Sequence, residues 1–386
     1  MPRFLRHLLR LPLLLALVLL TGCIGLPPAS PRPTQYTVYP GATTPPTVLH
    51  TRDNLALFGQ WWLPAEAPRA VVILLHGTAA HVGAYTPWAE FLTTHGYALF
   101  AFDMRGWGQS QGFGRRAFVR SHDDYVDDLA LAYAEVARKH PGVPVFLQGE
   151  SLGAGVALQA SLRGGFAHQG LILNAPPVYV NLKVGPRLPD WMASSAVWMG
   201  GIPGRVTPNF PLFPMQYGFA ERWIWHKAIF DEFSRGEIPK DPHFTHSAIA
   251  AVYVTALGKG AARIRARAGD IRDPFIVLQG DKDYLVSPAS ADFLMKKAAS
   301  HDKTVKRYPK MSHTTLHDTG RGEVWQDIVD WLDARVPGTG ERSADVRAAA
   351  AQLARATPRE TAARLMPQLP PPVPAPTPAT PVVMAP

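Results

Sequence analysis

One serine in this chain has the surroundings that a catalytic nucleophile needs. Ser151 lies in the motif Gly149-Glu-Ser-Leu-Gly153, between the apolar run 145–148 and the Ala-rich helical stretch 152–162. A sharp strand-to-helix turn holds such a serine in a strained conformation that projects its hydroxyl group, and the flanking glycines leave room for the turn. The N-terminal amides of the following helix add a positive partial charge at the same point. The motif predicts a nucleophile elbow, and a glycine-rich turn with an incidental serine is the alternative.

A serine nucleophile requires a general base, and the base requires an acid that orients it. Downstream of Ser151, two acids, Asp281 and Asp283, follow the predicted strand 274–279, and two histidines, His313 and His317, follow the next predicted strand, 304–308. The order serine, acid, histidine at successive strand ends is the order expected on a doubly wound sheet. We expect Asp283 and His313 to act with Ser151, with Asp281 and His317 as the respective alternatives.

The elements that must position these residues follow from the hydrophobic pattern. Continuous apolar runs are typical of strands covered on both faces, and the stretch 122–140 has apolar residues at 3.6-residue spacing. The alternation of strands and helices predicts an α/β fold with a doubly wound, mostly parallel sheet, whose sites form at the carboxyl ends of the strands. The predicted strands are 47–51, 55–62, 70–75, 97–102, 145–148, 171–174, 274–279 and 304–308, and the predicted helices are 86–95, 122–140, 152–162, 289–299 and 322–334.

The first 46 residues differ from the rest. In residues 1–22, three arginines precede the apolar run 11–20, which is too short for a confident membrane span and is typical of a secretory signal. The only cysteine of the chain, Cys23, follows directly, so no intrachain disulfide can form. The segment resembles a bacterial lipoprotein signal, which implies a lipid on Cys23, and an ordinary signal peptide is the alternative. Residues 23–46 are rich in proline and are predicted to be an extended tether.

Composition also sets the limits of the folded domain. It is predicted to cover 47–336, and within it the aromatic and proline-rich stretch of about 176–270 interrupts the alternation and indicates an inserted cap. Residues 337–386 are predicted to form an Ala/Arg-rich helix at 344–357 and then a disordered, proline-rich tail.

Four further stretches carry a resemblance to a known family. They are Leu75-His-Gly-Thr-Ala-Ala-His81, Phe102-Asp-Met-Arg-Gly-Trp-Gly-Gln-Ser110, Gly280-Asp-Lys-Asp283 and His313. Together with the elbow, they resemble the α/β-hydrolases of the monoacylglycerol lipase and lysophospholipase branch, a group also described as serine aminopeptidase-like. The resemblance covers about 47–335 except the cap. It implies the α/β-hydrolase fold with an inserted helical cap and no cofactor or metal.

The same resemblance implies a role for each site residue. Ser151 would be the nucleophile, Asp283 the orienting acid and His313 the general base, and the backbone N–H groups of Thr78 and Leu152 would donate to the oxyanion. The family often has histidine immediately before the serine, where this chain has Glu150, whose side chain we expect to turn away. His76, Asp103 and Arg105 are expected to have structural roles in the loops beneath the site.

The predicted function is that of a serine hydrolase that cleaves carboxylic esters. The resemblance favours single-chain lipids such as monoacylglycerols or lysophospholipids, and the signal favours a lipid-anchored place in the bacterial envelope. Because residue 24 is isoleucine rather than aspartate, the outer membrane is expected if the organism has two membranes. An acyltransferase with the same triad and a non-catalytic ligand-binding lipoprotein are the alternatives.

Net charge adds little to this interpretation. Removal of residues 1–22 lowers it from +9 to +6, a mild value that favours an anionic membrane surface slightly. No basic stripe is interleaved with aromatic residues, so a nucleic-acid partner is not expected.

Overall fold

An eight-stranded sheet forms the centre of the computed structural model, which describes residues 26–180, 208–209, 211–212, 241–244 and 249–336. The strands are β1 (Thr47–His50), β2 (Ala56–Trp62), β3 (Val71–Leu75), β4 (Ala98–Phe102), β5 (Val145–Glu150), β6 (Gly170–Asn174), β7 (Pro211–Leu212), β8 (Ile249–Ala250), β9 (Phe275–Gly280) and β10 (Lys303–Tyr308). The helices are α1 (Thr86–Thr94), α2 (His122–Lys139), α3 (Leu152–Arg163), α4 (Ala251–Arg267), α5 (Ala289–Lys297) and α6 (Arg321–Asp333).

The sheet is parallel except at one edge. Its order is β1-β2-β4-β3-β5-β6-β9-β10, while β7 and β8 form a separate antiparallel pair. The hairpin β1–β2 is antiparallel, β2 is antiparallel to β4, and all other neighbours in the large sheet run parallel. The predicted mostly parallel sheet is therefore confirmed, and its first two strands pair as a hairpin. Because β3, β5, β6, β9 and β10 are parallel neighbours, the loops that follow them meet at one carboxyl edge.

Successive residues of β3 face two separate cores, as expected for a strand with helices on both sides. Val71, Ile73 and Leu75 pack in one cluster with residues of α2, α3 and α4. Val72 and Leu74 pack in the other, against aromatic and aliphatic residues of α1 and α6. All five strand residues are buried, which accounts for the continuous apolar run in the sequence.

Helix α2 has the local signals that its sequence predicts. The Ser121 side chain accepts a hydrogen bond from the Asp123 amide at its N-terminus, within a capping box completed by Asp124. Arg138 and Lys139 lie in its last turn, where positive charge stabilises the helix dipole. Its buried face packs against α3, next to the predicted nucleophile turn.

The stretch predicted to be a cap lies mostly outside the described residues. Its final part forms α4, which packs against α3 and α2 beside the sheet. The short described segments 208–209 and 241–244 contact the loops that follow β3 and β4. Sequence patterns did not predict α4, because Gly258, Gly260 and four basic residues interrupt its apolar spacing.

Residues 26–46, predicted to be part of an extended tether, lie against the domain. The Ser30 amide donates to the Gly112 carbonyl at 2.7 Å, and the Thr43 amide donates to the Trp61 carbonyl at 3.0 Å. Tyr39 is 4% exposed, and its ring contacts that of Phe58 edge to face. These contacts make the described part of the segment a docked arm rather than a free linker. We call residues 29–46 the N-terminal arm.

No helix in the described part of the chain is long and apolar enough to cross a membrane. Residues 1–25, with the predicted signal and Cys23, and residues 337–386, with the predicted helix and tail, lie outside the described residues.

Candidate active site

Ser151 lies at the turn between β5 and α3, at the carboxyl edge of the sheet. Its backbone has φ 51° and ψ −111°, a conformation that residues with a Cβ rarely adopt. The Ser151 amide donates to the Asn174 carbonyl at the end of β6, at 2.8 Å, and its carbonyl accepts from the Gly155 amide at 3.0 Å. Neighbouring elements thus hold the strained turn from both sides. Ser151 is partly exposed, whereas the residues around it are buried.

Two glycines of the motif are required by close backbone contacts. A Cβ atom at Gly149 would lie 2.2 Å from the carbonyl carbon of Gly153, and one at Gly153 would lie 2.0 Å from the carbonyl oxygen of Leu75. The start of α3 is therefore pressed against the end of β3. The geometry explains the Gly-x-Ser-x-Gly spacing and confirms the predicted strand–turn–helix context of Ser151.

The structure pairs His313 with Asp283. His313 Nδ1 donates to Asp283 Oδ2 at 2.8 Å, in the interior of the protein, where the two residues are 4% and 0% exposed. Asp283 Oδ1 accepts from the amides of Leu285 and Val286 at 2.8 and 2.9 Å. With Gln279 Nε2 also donating to Oδ2 at 3.1 Å, the carboxylate is fixed by four donors. This bond at Nδ1 leaves Nε2 of His313 as the nitrogen that can exchange a proton.

The loops that carry the pair are packed as tightly as the serine turn. A Cβ atom at Gly280, the last residue of β9, would lie 2.0 Å from the Ser312 carbonyl oxygen. The His313 loop therefore rests directly on the strand end that leads to Asp283. Burial disfavours the imidazolium form of His313, but the carboxylates of Asp283 and Glu150 outweigh burial, so the pKa of His313 is raised above its ordinary value.

The alternative acid and the alternative base have other partners. Asp281 is at the surface, in an ion pair with Arg307 whose N···O distance is 2.6 Å. His317 Nε2 lies 3.5 Å from Glu150 Oε2, and its ring contacts Tyr85 edge to face. The structure thus brings Asp283, and not Asp281, to His313.

The residues expected to bind the oxyanion lie in the loop after β3 and at the start of α3. Gly77 and Ala80 close a tight turn through the Ala80 amide and the Gly77 carbonyl at 3.2 Å, with Ala79 at φ 67°. Thr78 is inside that turn, and its hydroxyl group hydrogen-bonds the Tyr253 hydroxyl group on α4. Leu152 is the first residue of α3, where the first amides have no partner within the helix. Such amides stabilise negative charge.

The residues expected to be structural brace this loop. His76 Nε2 accepts from the Met104 amide at 3.0 Å, so its Nδ1–H donates to the Gly77 carbonyl at 2.8 Å. Asp103 Oδ1 accepts a hydrogen bond from the Val82 amide at 2.7 Å, four residues beyond Thr78. Arg105 forms a bidentate pair with Asp128, with both N···O distances 2.6 Å. These contacts support the predicted structural roles of His76, Asp103 and Arg105.

Sequence reasoning missed two tyrosines of the site. The Tyr85 hydroxyl group accepts from the Gly77 amide at 2.9 Å and donates to Glu150 Oε2 at 2.6 Å. Tyr253 contacts Thr78 from a helix that no motif indicated. Neither residue has a local signal, because each contact depends on tertiary packing across the chain.

Comparisons with known proteins agree with this geometry. The family model described as serine aminopeptidase, S33 (Hydrolase_4) matches residues 66–320. The chain is 27% identical over 271 residues to a monoacylglycerol lipase of Mycolicibacterium smegmatis, covering 70% of this chain and 90% of that protein. It is 28% identical over 292 residues to a monoglyceride lipase of Rattus norvegicus, covering 75% and 91%.

Solved structures give the same fold. A soluble variant of the Saccharomyces cerevisiae monoglyceride lipase, in complex with a substrate analog, superposes with a TM-score of 0.65 at 20% identity, covering 80% of this chain and 100% of that chain. The monoacylglycerol lipase of Paleococcus ferrophilus gives 0.59 at 24% identity, covering 72% and 98%. The predicted α/β-hydrolase fold is confirmed.

Proposed function

The chain belongs to the serine aminopeptidase, S33 family of α/β-hydrolases and is a carboxylic ester hydrolase, and we propose that it acts through an acyl-enzyme on Ser151. The observation that carries this mechanism is the buried Asp283–His313 pair at the same edge of the sheet as the strained Ser151 turn. A binding protein would not need a histidine oriented by a carboxylate beside such a serine.

The proposed reaction has two acyl transfers. His313 Nε2 accepts the proton of Ser151 Oγ as that oxygen attacks the ester carbonyl carbon. The amides of Thr78 and Leu152 stabilise the negative charge on the carbonyl oxygen. The C–O bond to the alcohol breaks, and the alcohol leaves with the proton from His313. Water then gives its proton to His313, attacks the acyl-enzyme and releases the fatty acid as Ser151 recovers its proton.

We propose single-chain lipid esters, such as monoacylglycerols or lysophospholipids, as the substrates. The relatives named above as monoacylglycerol and monoglyceride lipases support this substrate class. A preference for medium or long acyl chains follows, because each methylene group that leaves water adds up to about 0.8 kcal/mol of binding. Four extra methylene groups then raise kcat/KM by roughly 10²-fold, if the gain is expressed in the transition state.

Probe labelling, kinetics and product analysis test the proposal. A fluorophosphonate probe should label the wild type and not Ser151→Ala, and Ser151→Ala should lose roughly 10⁴–10⁶-fold in kcat with an unchanged melting temperature. Residual activity above a tenth of wild type would exclude Ser151 as the nucleophile.

A series of p-nitrophenyl esters from acetate to decanoate, together with lysolipids, tests the substrate class, and a flat or falling series would contradict it. Added alcohol acceptors separate hydrolysis from acyl transfer through the products formed.

We also propose that Cys23 carries a lipid that anchors the enzyme in the bacterial envelope. The motif Leu20-Thr-Gly-Cys23 after a basic and apolar start supports this, and Ile24 favours the outer membrane where there are two membranes. Two or more acyl chains give stable attachment without a membrane span.

A further inference from the structure

Glu150 is a buried carboxylate that the proposed reaction does not use. It is the last residue of β5, directly before Ser151, and is 2% exposed. Burial of a charge is costly unless the charge is paired and hydrogen-bonded. The partners of Glu150 therefore show both how its charge is stabilised and which parts of the site it connects.

The first contact of Glu150 reaches the oxyanion loop through Tyr85. An ionised carboxylate can only accept hydrogen bonds, so at 2.6 Å the Tyr85 hydroxyl group must donate to Glu150 Oε2. The Tyr85 oxygen is then an acceptor, and the Gly77 amide donates to it at 2.9 Å. Glu150 thus directs the Tyr85 hydroxyl hydrogen toward itself, which leaves the Tyr85 oxygen lone pairs for the Gly77 amide. The amide plane of Gly77 is held next to Thr78, the residue whose amide is proposed to bind the oxyanion.

The second contact of Glu150 reaches the loop that carries the general base. Glu150 Oε2 lies 3.5 Å from His317 Nε2, four residues beyond His313. One carboxylate therefore joins the serine turn, the oxyanion loop and the histidine loop. Burial raises the pKa of Glu150, but His317 and then Tyr85 lower it by more, so its net pKa is below the ordinary value and it stays ionised at neutral pH.

We propose that Glu150 is a positioning residue for the ester hydrolysis proposed above: it orients the oxyanion loop through Tyr85 and places a negative charge beside the His313 base. This inference rests on the proposed function of Ser151. It gives a reason for glutamate at the position before the nucleophile, which the sequence marked only as a departure from the family pattern.

The charge acts among a small set of titratable groups. Tyr85 faces Glu150 from the short helix 82–85, His76 from the loop after β3, and His313 and His317 from the loop after β10. His313 faces Asp283 and Glu150. Removal of the negative charge of Glu150 therefore makes the imidazolium form of His313 less stable and lowers its pKa.

Three variants test the two roles separately. Tyr85→Phe breaks the link to Gly77 and keeps the charge. Glu150→Gln removes the charge and keeps an acceptor for Tyr85. Tyr97→Phe is the matched control, because Tyr97 is also buried and donates to a carboxylate, Asp333 Oδ1, at 2.6 Å on α6. The readouts are kcat and KM for p-nitrophenyl butyrate, the pH profile of kcat/KM and the melting temperature.

Tyr85→Phe should lower kcat by about tenfold, a fraction of the 10²–10³-fold loss that follows from removal of a whole oxyanion donor. Its KM should stay within about twofold, since the bond acts on the transition state. The acidic limb of its pH profile should not move. Glu150→Gln should shift that limb to lower pH by roughly half a unit. Tyr97→Phe should change only the melting temperature.

The outcomes separate this inference from the proposed function. If the wild type hydrolyses the ester and takes up the fluorophosphonate probe, but Tyr85→Phe has the kcat of Tyr97→Phe, the positioning role is overturned. An acidic limb that stays in place in Glu150→Gln overturns the electrostatic role. Should Glu150→Gln fail to fold, Tyr85→Phe alone decides the link to the oxyanion loop. A wild type that the probe does not label overturns the proposed function, and this inference with it.

Discussion

Asp283 holds the His313 imidazole through a buried bond, whereas Asp281 holds a surface arginine. We therefore predict that Asp283→Asn lowers kcat/KM for an ester by about 10⁴-fold, because the amide favours the wrong histidine tautomer. Asp281→Asn is the matched control and should stay within about threefold of wild type, since an exposed ion pair contributes little. If the control loses activity and Asp283→Asn retains it, the orienting acid has been assigned to the wrong residue.

The pH dependence of activity follows from the environment of His313. In the proposed mechanism only neutral His313 can accept the serine proton, so kcat/KM should fall as pH drops through the pKa of His313. Since the carboxylates of Asp283 and Glu150 raise that pKa despite burial, the midpoint of the acidic limb should lie above the ordinary value of 6.5. A profile of kcat/KM between about pH 5 and 9 measures it. A midpoint below 6.5 in the wild type would mean that burial dominates.

At the scale of elements, the contact between the start of α3 and the end of β3 leaves no room for a side chain. We predict that Gly153→Ala destabilises the protein by at least about 2 kcal/mol, because its Cβ atom would lie 2.0 Å from the Leu75 carbonyl oxygen and α3 would have to move. The same movement displaces the Leu152 amide, so kcat should fall as well. Urea unfolding and ester hydrolysis measure the two effects.

Gly269→Ala is the control for that substitution. Its Cβ atom would meet nothing nearer than the Lys297 carbonyl oxygen at 4.0 Å, so we expect a change within about 0.5 kcal/mol. Equal stability of the two variants would show that α3 can shift away from β3 without cost.

The hydrophobic pattern of the sequence predicted the buried parallel strands well, for a physical reason. A parallel strand buried on both faces must be apolar throughout, so β3 and β4 are visible as uninterrupted runs. The candidate nucleophile and acid were proposed from the same pattern, since Ser151 and Asp283 follow the ends of such runs, whereas His313 follows β10, an edge strand with basic residues. Position relative to strand ends, and not the motif alone, located them.

The rest of the site was not visible because it depends on contacts between distant segments. Tyr253 lies 175 residues beyond Thr78, on a helix whose glycines and basic residues hide its apolar face. The role of Glu150 depends on Tyr85, 65 residues before it. The prolines of the N-terminal arm predicted an extended tether, but composition does not show that such a segment packs on the domain.

At the scale of the whole molecule, the proposed lipid on Cys23 would attach the protein to a membrane. We predict that Cys23→Ser moves the protein from the membrane fraction to the soluble fraction, because the lipid would provide the attachment. Ester hydrolysis by the released variant should remain at the wild-type level for a water-soluble ester, which serves as the control for folding. A Cys23→Ser protein that sediments with membranes as fully as the wild type would contradict lipidation.

The docked N-terminal arm changes what such an anchor would do. Between Cys23 and Leu26, the first described residue, there are only two residues, and soon afterwards the arm is bonded to Gly112 and, through Thr37, to Gln109 in the loop after β4. Tyr39 then contacts His81 in the loop after β3. The described part of the chain therefore begins three residues after Cys23 in the sequence, and the arm lies beside the edge that bears the site. A lipid on Cys23 would keep this edge of the sheet facing the bilayer. A single-chain lipid ester would then reach the site by lateral diffusion within the membrane plane.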